Sequence, residues 1–87
     1  MAIWGADVAQ LRNLGNKLQA GAAEIENQKS MLQRVLSDTT WEGPDANAFR
    51  SEWNGAHTTS LTKVAEALKE AGQKAGRNAD EQDNASR

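Results

Sequence analysis

Apolar residues recur every three or four positions through the first forty residues: Val8, Leu11, Gly15, Leu18, Ala22, Ile25, Leu32 and Leu36, with Lys29 as the one charged interruption. This spacing keeps one side of an α-helix apolar and would alternate between the two faces of a strand, so it predicts a helix. A second track through Leu14, Gly21, Gln28 and Val35 widens the stripe, which suggests contact with more than one neighbouring helix. Asp7, followed three residues later by Gln10, forms the start of a capping box. The expected span of this first helix is 7–38.

The chain then breaks once. Its single proline, Pro44, follows Trp41-Glu42-Gly43 and precedes Asp45. Glycine at a cap, proline at the first helical position and an acid against the positive end of the dipole all suit a helix start, which predicts a turn over 39–43 and a second helix over 44–77. The apolar positions of that helix are Ala46, Phe49, Trp53, Ala56, Leu61, Val64, Leu68, Ala71 and Ala75. Their phase slips between Trp53 and Leu61, near Gly55 and the β-branched Thr58-Thr59, so the stripe is expected to drift around a weak mid-section. From residue 78 onward no large apolar side chain remains, which predicts a flexible polar tail over 78–87, with Gly72 and Gly76 weakening the turns before it.

The resulting fold class is all-α: an antiparallel two-helix hairpin, each arm roughly 45 Å long. Two helices share one seam, and stripes this broad leave an edge in water with no disulfide or metal to compensate. The expected solution is dimerisation into a four-helix bundle, with an interface drawn from Val8, Leu11, Leu14, Gly15, Leu18, Ala22, Ile25, Leu32, Leu61, Val64 and Leu68. The small Gly15, Gly21 and Ala22 would let one backbone approach another. The alternative is a marginal monomer that folds only inside something larger. Lys29 within the stripe leans toward a distinct partner that offers a carboxylate.

Composition narrows the function. Ten Lys plus Arg against 12 Asp plus Glu give a net charge of −2, and the charges alternate in sign along both arms, unlike the clustered basic face that meets nucleic acid. Cysteine is absent and His57 is the only histidine, with Asn54 rather than Glu three residues before it, so no metal-ligand or cofactor pattern exists. Thr58, Thr59 and Ser60 adjoin His57, but adjacent helix positions do not face one another, and Glu24 and Glu26 likewise diverge. No enzyme is expected. No apolar run approaches the roughly 20 residues of a membrane span. The N-terminal residues lack a basic stretch followed by an apolar block, so the expectation is synthesis in the cytoplasm without a cleaved signal peptide.

The residues around the break, Trp41, Gly43, Ala46, Phe49 and Trp53, spell W-x-G-x-x-A-x-x-F-x-x-x-W. This resembles the WXG family of small helical-hairpin substrates of type VII secretion, often named after the early secretory antigenic target of mycobacteria. The resemblance covers the whole chain in length, hairpin layout, W-x-G turn and polar tail. It implies a secreted or cell-surface, virulence-associated interaction protein, a substrate or adaptor that pairs with a related hairpin and meets a type VII secretion ATPase. Heterodimers and homodimers both occur in the family. Many relatives carry an export signal Y-x-x-x-[D/E] after helix two. The nearest match here is Gly76-Arg77-Asn78-Ala79-Asp80, and tyrosine is absent from the whole chain. Either a partner supplies the signal, which favours a heterodimer with a homodimer as the alternative, or a degenerate form through Ala79 and Asp80 serves. The alternative function is a membrane-active secreted effector, which the mixed rather than Lys/Arg-rich polar faces disfavour. Trp4 would lie at the hairpin's open end, which in an antiparallel dimer meets the partner's Trp41 region.

Overall fold

The structure, a computed structural model, describes residues 6–85, so Ile3 and Trp4 lie outside the described residues. Helix α1 runs Val8–Asp38, α2 runs Pro44–Glu52, a π-helical turn spans Trp53–His57, and α3 runs Thr58–Ala85. The last three are continuous, so the chain is an all-helical hairpin of two long arms. Its Cα extents are 64 × 18 × 12 Å and its radius of gyration is 19.1 Å. A compact domain of this length would have a radius of gyration of about 12 Å. The molecule is a rod.

Each end of α1 is closed by a local reason. The Asp7 carboxylate accepts from the Gln10 backbone N–H at 2.9 Å, satisfying one of the unpaired amides of the first turn. At the other end Thr39 Oγ1 donates to the Val35 carbonyl at 2.6 Å. The Arg50 guanidinium, reaching across from α2, donates to the carbonyls of Leu36 at 3.3 Å, Thr39 at 3.0 Å and Trp41 at 2.5 Å. The chain then turns at Gly43, whose φ of 118° and ψ of 176° lie in a region essentially restricted to glycine. Pro44 follows at the start of α2, and the Gly43 carbonyl accepts the first helical bond, from Asn47 N–H at 3.0 Å.

The phase slip around Trp53 is taken up by the π turn, in which Thr58 N–H reaches back to the Trp53 carbonyl. One extra residue fits into a wide turn. Trp53 at its start and Ala65 after it are therefore both buried, and the stripe does not drift off the seam.

The arms meet antiparallel, as four cross-contacts in descending register show. Arg12 pairs with Asp80, Gly15 lies against Gly72, Gln19 donates to the Lys69 carbonyl at 3.2 Å, and Lys29 donates to Thr62 Oγ1 at 2.7 Å. The seam is built of small residues. Its buried members are Gly15, Ala22, Ala46, Ala65, Gly72, Ala75 and Ala79, with Trp53 as the one large side chain. At the Gly15–Gly72 crossing a Cβ on Gly72 would stand 2.8 Å from the Gly15 carbonyl oxygen, and one on Gly15 would stand 3.0 Å from that of Gly72. The backbones touch there.

This seam corrects the expectation of a flexible tail over its described part, 78–85; residues 86 and 87 lie outside the described residues. Helix α3 continues through Ala85, Ala79 is fully buried, and Asp80 makes a 2.7 Å ion pair with Arg12. The expectation failed because it required large apolar groups to hold the tail, whereas this seam needs small ones. Gly72 likewise is a contact point rather than only a weak spot.

Candidate interaction face

Three heptad columns of α1 have three different fates. Val8, Gly15, Ala22, Lys29 and Leu36 point at the other arm and are buried or half-buried. Leu11, Leu18 and Ile25 are half-buried beside them, while Leu32 in the same column is exposed. Leu14 and Val35 in the outer column are exposed, at 50% and 53%. On α3 the pattern repeats: Ala65, Gly72 and Ala79 are buried, Leu61 and Leu68 are half-buried, and Val64 is exposed. No large aliphatic side chain among the described residues is buried.

The leucines and valines therefore form one face of the rod. Along it run two grooves. The middle groove is lined by Gly21, Ile25, Gln28, Leu32, Leu61 and Leu68, where the lack of a side chain at Gly21 leaves room beside Leu68. The second lies at the closed end, between Leu32, Val35 and Leu36 of α1 and Trp41, Phe49 and Trp53. Leu32 borders both, so the apolar strip is continuous. The opposite side of the hairpin is polar, presenting Gln19, Glu26, Glu66 and Lys69, then Gln33 and Lys63.

The closed end is stiffened by aromatic contacts. Trp41 and Phe49 meet edge to face with centroids 6.0 Å apart, Phe49 and Trp53 lie 6.3 Å apart, and the Arg50 guanidinium sits 5.8 Å from the Trp41 ring centre. Trp41 is thus held from two sides yet remains 41% exposed. Trp53 is the reverse case: its ring is buried and its indole N–H has no acceptor. Ala46 is fully buried and Phe49 half-buried.

Of the residues expected at a dimer interface, Val8, Leu11, Leu14, Leu18, Ile25, Leu32, Leu61, Val64 and Leu68 keep surface in water. Gly15 and Ala22 do not, since both are enclosed by α3 of the same chain. Small size is the reason: the column that allows the closest backbone approach becomes the intramolecular seam. The Lys29 argument for a distinct partner also loses its ground. Its ammonium lies 3.0 Å from Glu26 and 2.7 Å from Thr62 Oγ1, so the carboxylate comes from its own helix. In the tail segment Gly76 is half-buried, Ala79 is enclosed, and Asp80 is held by Arg12.

Arg50 escaped the sequence reading. The available signal was a cation lodged between the seam positions Ala46 and Trp53, on the side facing α1. His57 and Glu52 bracket the π turn with a 3.7 Å contact in which both side chains are exposed. No group of three His, Cys, Asp or Glu among the described residues is placed to hold a metal, and no helix among them is long and apolar enough to cross a membrane. No family model, curated protein or solved structure matches the chain.

Proposed function

We propose that this chain is a protein-binding hairpin whose apolar face is completed by a second helical hairpin, and that it serves as a substrate or adaptor of a type VII secretion system rather than as an enzyme. The observation that carries the pairing is the sorting of side chains by size. Small residues fill the seam, while Leu14, Leu32, Val35 and Val64 stay about half exposed along one continuous strip. A contiguous apolar strip running from Gly21 and Leu68 to Trp41 on one side, with a polar opposite side, marks an association surface.

Type VII secretion is supported by the resemblance carried by Trp41, Gly43, Ala46, Phe49 and Trp53. A docked tail changes how an export signal at Ala79 and Asp80 would work. A receptor would meet a helix surface carrying Asp80, with Ala79 turned inward, rather than an extended peptide. Sedimentation across a micromolar concentration series tests the pairing, and a stable monomer throughout would defeat it. Export is tested by following the chain in culture supernatant with and without the secretion ATPase. Equal release from both strains would refute that half of the proposal.

A further inference from the structure

The π turn leaves one peptide group of the second arm weakly held, and that group joins the chain's one Asn-Gly pair, Asn54-Gly55. In an α-helix the Asn54 carbonyl would accept from the N–H of Thr58, four residues on. Here the Thr58 N–H turns to the carbonyls of Gly55 and Trp53. The Asn54 carbonyl accepts from Thr58 Oγ1 at 3.3 Å, about half an ångström longer than the usual hydroxyl bond.

The same peptide group carries the Gly55 nitrogen, the nucleophile that can close on the asparagine side chain. Both residues are exposed, and a Cβ at Gly55 would have no heavy atom within 4 Å. Cyclisation requires the Asn54-Gly55 peptide plane to swing until its nitrogen faces Asn54 Cγ. In a regular helix that swing breaks a backbone hydrogen bond at the carbonyl, whereas here the carbonyl gives up a long hydroxyl bond. Glycine as the following residue removes the side chain that would obstruct the approach. The other asparagines, Asn13, Asn16, Asn27, Asn47, Asn78 and Asn84, lie in α-helix and are followed by Leu, Lys, Gln or Ala.

We propose that Asn54 is a self-modification site. The Gly55 nitrogen bonds to Asn54 Cγ, and the side-chain nitrogen leaves as ammonia with the proton from Gly55, giving a cyclic imide. Water then opens the ring at either carbonyl and yields aspartate or, with the main chain rerouted through Cγ, isoaspartate. Water is the one co-reactant, and nothing is oxidised or reduced. Either product adds a negative charge two residues from Glu52, and the isoaspartyl product adds an atom to the backbone beside the buried Trp53. That extra atom shifts α3 against α2, so the buried positions from Ala65 onward lose their register with α1. The reaction is a slow loosening of the hairpin that needs no partner.

The full chain, incubated folded at neutral and mildly alkaline pH, is digested with trypsin, and peptide 51–63 reports the site because Arg50 and Lys63 flank it. The expected result is the mass gain of an NH2-to-OH exchange with a separate isoaspartyl peak, several-fold faster than at any other asparagine. The rate should rise with pH, because the Gly55 amide must lose its proton. Gly55→Ala, which meets no neighbour, should stop the reaction, and Thr58→Val, which removes the hydroxyl bond, should speed it, both with helical content unchanged by circular dichroism. Aged chain separated by anion exchange should melt below its parent. Modification of Asn54 in urea but not in the folded chain would overturn the proposal, since the π turn would then protect the peptide group. A rate indifferent to Thr58→Val would overturn it as well, because the weak tether would not be what exposes the site.

Discussion

Gly72→Ala and Gly76→Ala form a matched pair that isolates the seam. Both glycines lie inside α3, four residues apart, and in a helix interior alanine is favoured over glycine by about 1 kcal/mol. At Gly76 a new Cβ meets nothing within 4 Å, so that gain should appear almost whole. At Gly72 the same methyl would stand 2.8 Å from the Gly15 carbonyl oxygen and 2.9 Å from Gln19 Cγ. The glutamine side chain can swing away at the loss of its bond to the Lys69 carbonyl. The Gly15 carbonyl can move only if α1 moves, and overpacking of that kind typically costs 1–3 kcal/mol. The net expectation is a gain of about 0.5–1 kcal/mol for Gly76→Ala and a loss of up to about 2 kcal/mol for Gly72→Ala.

For a domain of this size 1 kcal/mol moves the melting temperature by about 4–8 °C. Thermal melts followed at 222 nm should therefore separate the two variants by up to about 12–24 °C, with Gly76→Ala the higher. The melts must be run at one protein concentration, because pairing would add a mass-action contribution to each. If Gly72→Ala melts at or above Gly76→Ala, the backbones do not touch at the Gly15–Gly72 crossing and the small-residue seam is wrong.

Substitutions at three further positions probe other parts of the hairpin. Arg50→Ala removes the donors to the Leu36, Thr39 and Trp41 carbonyls and should cost about 1–2 kcal/mol in urea unfolding, with Arg50→Lys recovering less than half because one ammonium cannot replace a fork of donors. Trp53→Phe deletes an indole N–H that has no acceptor and should cost less than about 1 kcal/mol, whereas Trp53→Ala should cost about 3–5 kcal/mol; equal effects would mean the indole N–H is satisfied. Arg12→Ala breaks exposed ion pairs to Asp80 and Asp83, so global stability should fall by less than about 1 kcal/mol while amide exchange speeds up over residues 80–85; unchanged exchange there would show that the Arg12 ion pairs do not hold the tail.

The hairpin was legible because its signals are local. A three-four period needs only neighbouring residues to be read, and Gly43-Pro44 marks a backbone that cannot continue α1. Which column of a broad stripe faces inward is a different kind of question, because it depends on how close the second arm comes. The small Gly15 and Ala22 were legible as places where one backbone could approach another, but they were assigned to an interface with a second chain, whereas they lie in the seam between the two arms while Leu14 and Leu32 lie outside it. The tail was misread because no large apolar side chain follows residue 78, whereas Gly72, Ala75 and Ala79 carry the buried pattern as far as residue 79 with small ones. At Trp53 the slipped phase was visible in the spacing, but not that a π turn would absorb it.

A seam of alanines and glycines has a consequence beyond geometry. Glycine in a helix interior is unfavourable, so Gly15 and Gly72 are sustained only by the close approach they permit. That closeness buries little area per residue, because an alanine side chain removes one methyl from water where a leucine removes four carbons. Away from Trp53 at the closed end it also keeps large aliphatic side chains from full burial between the arms, and an axis-to-axis distance set by glycine leaves no space in which Leu14, Leu32 or Val64 could turn inward. Replacing the seam with larger residues would push the arms apart and draw those leucines in, producing a more self-sufficient hairpin with a weaker outer face. The tight seam and the exposed strip are thus two results of one choice of residue size. Variants that loosen the seam should lose affinity for a second hairpin even when every residue of the outer face is unchanged.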